Sequence, residues 1–244
     1  MKSFPGGVLL EELPSAEELA VFAADLFSET AAESIAERGL FRVALAGGAT
    51  PSRLHEVLAA SPYADLVAWN RTHVFFGDER CVPERSLERN DGAAREALLD
   101  RVPIPPENVH RIDAQKASAA ESYEEDLRRH FRLRRGELPR FDLVFLGLGP
   151  DGHTASLFPG RPEVEVKDRL AVRVEGAPKP PPDRVTLTLP VLSAARQAVF
   201  LVAGGGKADA LRRALEGDPA LPASRVRPAL WLVSARGQVY NLEP

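Results

Sequence analysis

Four times along this chain a short apolar run ends in a loop of glycine or charge, at 47–50, 77–80, 147–153 and 204–207. Helical patterns separate the runs. Parallel strands need helical crossovers, so this alternation predicts an α/β fold with a mainly parallel, Rossmann-like sheet and helices on both faces. Ligands of such folds gather at the carboxyl ends of strands, so the four loops should converge on one cleft.

Local punctuation sets the elements. Ser15 and Glu18 read as a capping box opening a helix to Arg38, with Leu19, Phe22, Leu26 and Ile35 as its apolar stripe and Gly39 as its stop. Thr50 reads as an N-cap and Pro51 as the first residue of a helix reaching about Ala60. Ser118 and Glu121 read as a second capping box, and helices are also expected from Asn90 and Lys207. Strands are expected at 42–46, 72–76, 109–112, 142–146, 184–189, 198–203 and 229–233. Residues 1–244 read as a single domain, with the Pro-rich segments available for a small lobe.

Composition narrows the functional classes. The single cysteine, Cys81, cannot form an internal disulfide, and no signal-like segment opens the chain, so a cytoplasmic protein is expected. Apolar runs such as 143–146 are far too short to span a bilayer. The formal net charge of −4 argues against nucleic acid as a partner. A monomer acting on a small molecule is expected. No metal set is expected either: one Cys, no H-x-x-x-H pair and no EF-hand spacing occur.

The loops carry the chemistry. Gly47-Gly48-Ala49-Thr50-Pro51 joins a strand to a helix start, where free N–H groups and the helix dipole favour an anion. Gly204-Gly205-Gly206-Lys207 repeats the design without the Walker spacing. The chain uses 26 Arg and only 5 Lys, which hints that Lys207 is kept for its compact ammonium. Asp78 and Arg80 follow one strand, and Arg80 could fork onto a phosphate. Gly147-Leu-Gly-Pro-Asp-Gly152 formally matches a dinucleotide fingerprint, but Pro159 and Pro162 deny it the long helix that should follow. What remains is Asp151-Gly152-His153, a carboxylate beside an imidazole that could serve as a general base. The other four histidines, His55, His73, His110 and His130, read as structural.

Taken together, these segments resemble the 6-phosphogluconolactonases, within the sugar-phosphate isomerase group that includes glucosamine-6-phosphate deaminase. The matching stretches are Ala44–Leu54, Phe75–Pro83, Asp142–Pro159 with its Asp-Gly-His-Thr-Ala-Ser-Leu-Phe-Pro string, Lys179–Leu192, and the Gly-Lys207 helix start. The resemblance implies hydrolysis of 6-phosphoglucono-1,5-lactone to 6-phosphogluconate in the pentose phosphate pathway, without a cofactor. It puts His153 in the base role with Asp151 supporting it. It associates Gly47, Gly48, Thr50, Arg80, Arg184 and Lys207 with the sugar phosphate, and Asp78, which could act as a base or orient another side chain, joins them as a substrate-binding candidate. Two alternatives stay open: an amino-sugar-phosphate deaminase/isomerase, and a non-catalytic sugar-phosphate-binding module. In the deaminases a Glu follows the Asp-Gly-His motif by five positions, and here that position is Phe158. Glu88-Arg89-Asn90 departs from the family's Asp-Ser-Asn, so Arg89 either adds a cation to the phosphate site or points to solvent.

Overall fold

The computed structural model describes residues 1–234, so the last ten positions of the expected 1–244 domain lie outside the described residues. In chain order the strands are β1 (Lys2–Phe4), β2 (Val8–Leu13), β3 (Phe41–Leu45), β4 (Thr72–Phe76), β5 (Asp78–Arg80), β6 (Leu143–Gly147), β7 (Ala171–Val174), β8 (Arg184–Leu187), β9 (Ala198–Val202) and β10 (Ala229–Ser234). The helices are α1 (Ala16–Arg38), α2 (Ala49–Leu58), α3 (Tyr63–Leu66), α4 (Asn90–Ala94), α5 (Ala119–Phe131), α6 (Leu189–Ser193) and α7 (Ala208–Glu216).

Seven strands form one sheet in the order β1-β2-β10-β9-β6-β3-β4. Every neighbouring pair is parallel except the β1–β2 hairpin. β6, β9 and β10 are buried at nearly every position, which requires cover on both faces. Phe27, Phe41, Trp69 and Phe145 meet on one side of β3 and β6, and Phe200 stacks on Trp231 with ring centres 3.8 Å apart. The chain runs outward from β3 to β4, returns to β6 beside β3, and then runs outward the other way through β9 and β10. The gap between β3 and β6 is therefore the switch point where such sheets open a crevice.

A second sheet, β5-β8-β7, is antiparallel. Gly77 links the two: its N–H donates to Leu45 O (3.0 Å) of the first sheet and its carbonyl accepts from Leu187 N (2.8 Å) of the second. The small sheet brings Asp78, Arg80 and Arg184 over the carboxyl end of the large one.

Several local expectations change. The Ser15 box forms, with Glu18 N donating to Ser15 Oγ at 3.2 Å and Ser15 Oγ donating back to the Glu18 carboxylate at 2.8 Å. The Ser118 box does not. Ser118 sits at φ −89°, ψ 22° rather than in an extended conformation, and its side chain makes no cap bond. Thr50 lies inside α2; Gly48, at φ 98°, holds the cap position that only glycine takes easily. Residues 109–112 make a single bridge, Val109 to Val74, rather than a strand. No described helix is long and apolar enough to cross a membrane.

Candidate active site

A crevice of about 270 Å³ opens at the switch point and collects all four loops. Gly47, Gly48, Thr50, Asp78, Arg80, His153, Arg184 and Lys207 line it, so eight of the nine sequence-predicted residues share one surface. The ninth, Asp151, is not on the crevice wall. It stands behind His153, with Oδ1 2.5 Å from His153 Nδ1.

That pair is built by its loop. Gly149 N–H donates to His153 O (2.9 Å) and Gly152 N–H to Gly149 O (3.0 Å), folding the segment back on itself. A side chain at Gly149 would collide with the His153 ring, and Gly152 turns at φ 85°. With Nδ1–H given to the carboxylate, the neutral imidazole carries its lone pair on Nε2. Phe158 lies against the ring, centroids 4.6 Å apart. Burial pulls the His153 pKa below its ordinary value, and the Lys179 charge adds to this. The Asp151 bond and charge oppose it without cancelling it. The imidazole is therefore neutral, and able to accept a proton, through the neutral pH range. Burial alone would raise the Asp151 pKa, but the hydrogen bond from His153 and the His153 and Lys179 charges outweigh burial and lower it.

The crevice also collects cations. Arg80 and Arg184 are direct cross-strand partners in the β5–β8 ladder. Like charges so placed repel, and an anion between them would remove the penalty. Arg80 Nη1 donates to Glu88 O, while its buried Nε has no partner. Arg184 is more committed: Nε donates to Pro181 O (3.0 Å), and Nη2 reaches the carbonyls of Lys179 (3.3 Å) and Pro180 (3.2 Å). Only Ser156 Oγ, at 3.4 Å, faces its Nη1. Lys207 holds the cap position of α7, and burial, then the Lys179 charge, lowers its pKa. Neither α2 nor α7 has a side-chain cap, and the first turn of α2 has no acidic residue, so its N–H groups are unclaimed by side chains.

Sequence reasoning missed the braces behind the crevice wall. Asn90 Nδ2 donates to Asp78 O (2.8 Å) and Oδ1 (3.1 Å), and a side chain at Gly47 would collide with Asn90. Ser156 Oγ donates to Asp78 Oδ2 at 2.5 Å. Glu79, fully buried, accepts from the N–H groups of Arg80 (2.7 Å), Asn90 (2.8 Å) and Asp91 (2.8 Å), and burial pushes its carboxyl up to about 7. Lys179 Nζ lies 3.3 Å from Asp151 Oδ1. Arg89 follows neither expectation. It is 2% exposed and forks onto Asp91 at 2.6 and 2.9 Å, with Ile112 O as a third acceptor. These contacts lie 11 to 78 residues apart in sequence, where no local spacing reports them, except Arg80–Glu79 and Arg89–Asp91.

A family model described as glucosamine-6-phosphate isomerases/6-phosphogluconolactonase matches residues 14–233. The chain belongs to that family. The 6-phosphogluconolactonase of Rattus norvegicus is 41% identical over 92% of this chain and 88% of its own. A probable chloroplastic 6-phosphogluconolactonase of Oryza sativa subsp. indica is 41% identical over 82% of this chain. The chain spans 64% of that rice protein's length. Among solved structures, the 6-phosphogluconolactonase of Thermotoga maritima superposes with a TM-score of 0.82 at 33% identity, covering 93% of this chain and 99% of that one. The isomerase/lactonase fold thus covers both sheets described above.

Proposed function

We propose that this chain hydrolyses 6-phosphoglucono-1,5-lactone to 6-phosphogluconate. The observation that carries this reading is the neutral His153 imidazole, oriented by the Asp151 carboxylate and lining a crevice that also holds Arg80, Arg184 and Lys207. His153 Nε2 takes a proton from water as the water oxygen attacks the lactone carbonyl carbon. The ring C–O bond then breaks, and the ring oxygen leaves with a proton returned from the imidazolium. A lactone is an activated ester, so a positioned base and donors for the developing oxyanion suffice.

The phosphate is assigned to the α2 start at Gly47, Gly48 and Thr50, with Arg80, Arg184 and Lys207 as the nearby cations. Binding energy there fixes the distant reacting carbon. Asp78, held by Ser156 and Asn90, serves the sugar hydroxyls. Phe158 supports hydrolysis over deamination, because an apolar ring lies against His153 where the deaminases place a carboxylate. A monomeric, cytoplasmic protein completes the reading, with no nucleic acid or membrane partner.

The test generates the lactone in situ with glucose-6-phosphate dehydrogenase and follows its loss against the no-enzyme rate. Faster opening with the purified chain, and no turnover of glucosamine 6-phosphate, supports the proposal. A rate equal to the blank overturns it.

A further inference from the structure

Away from the crevice, three imidazoles meet. His73 lies on β4, His110 just past the bridge that joins Val109 to that strand, and His130 in the last turn of α5. One ring nitrogen from each lies within 4.8 Å of the others. We propose that this triad binds a single divalent cation of the zinc type, at a site separate from the reaction centre.

Imidazole is the donor that Zn²⁺, Co²⁺ and Ni²⁺ share. His73 Nδ1 and His110 Nε2 are 3.2 Å apart. Two nitrogens on one tetrahedral zinc, each about 2.0–2.1 Å from the ion, stand roughly 3.3 Å from each other. The rings are therefore already at ligand spacing. His110 is also oriented: its Nδ1–H is given to Asp126 Oδ2 at 2.7 Å, so its Nε2 accepts from His73 Nδ1–H, and a metal would take the place of that proton as it moves to His73 Nε2. Arg129 holds the same carboxylate from its other oxygen at 2.8 Å. A ligand histidine backed by a carboxylate is the usual outer shell of a zinc site. Phe75 stacks flat on His110, centroids 4.1 Å apart, so the ring does not swing.

One contact opposes the ion. Arg42 Nε donates to His130 Nε2 at 3.2 Å. If Nε2 binds the metal, its lone pair is used. If Nδ1 binds instead, Nε2 carries the ring proton and has nothing to accept with. Either way the Arg42 bond must break, so Arg42 competes with the cation. This competition gives the proposal a gain-of-binding test that a misfolded variant cannot imitate.

The experiment titrates chelator-treated full-length protein, free of any affinity tag, with Co²⁺ followed by visible absorption and with Zn²⁺ by calorimetry. The expected result is one equivalent bound, with a rise in Tm that grows with metal concentration. His110→Gln and His130→Gln should weaken binding at least roughly tenfold, and Asp126→Asn by about 10–100-fold. Arg42→Met should tighten it. His153→Gln should leave the stoichiometry and affinity unchanged. Absence of saturable binding overturns the proposal. So does binding that is lost in His153→Gln while His130→Gln retains it, or binding that Arg42→Met leaves unchanged.

Discussion

At the amino end of the large sheet, Asp142 accepts from Arg42 N–H (2.8 Å) and Arg38 Nε (3.0 Å), and the Arg196 guanidinium pairs with it at 3.3 Å. At the carboxyl end, Arg80 faces Arg184 across two strands, and Lys207 lines the same crevice. One end pairs its charges and the other collects like charges. Helix starts at the carboxyl end differ among themselves: α1 has Ser15 as a cap and two acids in its first turn, whereas α2, which lines the crevice, has neither. The paired end serves folding. The unpaired end is left unsatisfied in a way that an anionic ligand would complete, and that incompleteness marks the site.

Substitutions at the two ends should therefore separate activity from stability. His153→Ala should remove roughly 10²–10⁴-fold of the rate above spontaneous opening while 6-phosphogluconate still binds, as read by lactone kinetics and calorimetry. Asp142→Asn should do the reverse. Denaturant unfolding should show a loss of about 3 kcal/mol, because two donors and the Arg196 charge lose a buried carboxylate, with KM unchanged. His55, 2% exposed with no partner for Nδ1, is held at about 4 by burial. The unfolded chain binds that proton below about 6.5 and the folded chain resists it. Stability present above pH 6.5 should then fall as the pH drops toward 4, by as much as about 3 kcal/mol. His55→Leu should make that segment of a pH series of unfolding curves shallower, the remaining slope coming from His73 and His130.

Arg80→Ala tests the unpaired end directly. KM should rise about 10–100-fold, matching the loss of charged hydrogen bonds worth roughly 2–3 kcal/mol. Added inorganic phosphate should no longer raise Tm, and without anion the variant should be no less stable than the parent. If Arg80→Ala unfolds as easily as Asp142→Asn, the two ends do not differ as described. The smallest effect is expected at Ser15→Ala, a loss of about 1 kcal/mol with unchanged kinetics.

Legibility follows the same division between local and long-range causes. The Ser15 box, the Gly39 stop and the glycine loops are local, and residues three or four apart announce them. Ser118 carries the same local signature, yet its backbone takes a non-extended turn and the box fails. The β1–β2 hairpin and β7 carry short, weakly alternating patterns and exist because a neighbouring strand pairs with them. His153 could be read from its motif, but the Asn90 brace on Asp78 and the buried Arg89–Asp91 fork could not. Nor could the meeting of His73 with His110, which lie 37 residues apart. Sequence displays the residues that touch a ligand because their loops are unusual. It conceals those that hold them, because ordinary residue types acquire that role only through the fold.

The central claim is that His153 acts as a neutral base tuned by Asp151. The pH dependence of kcat/KM for lactone hydrolysis, corrected for spontaneous opening, tests it most directly. The acid limb should fall below pH 6.5, the ordinary histidine value, because burial lowers the His153 pKa. In Asp151→Asn it should move lower still, because the bond and charge that raise that pKa are lost. An acid limb above pH 6.5, or one that stays in place in Asp151→Asn, would contradict the account.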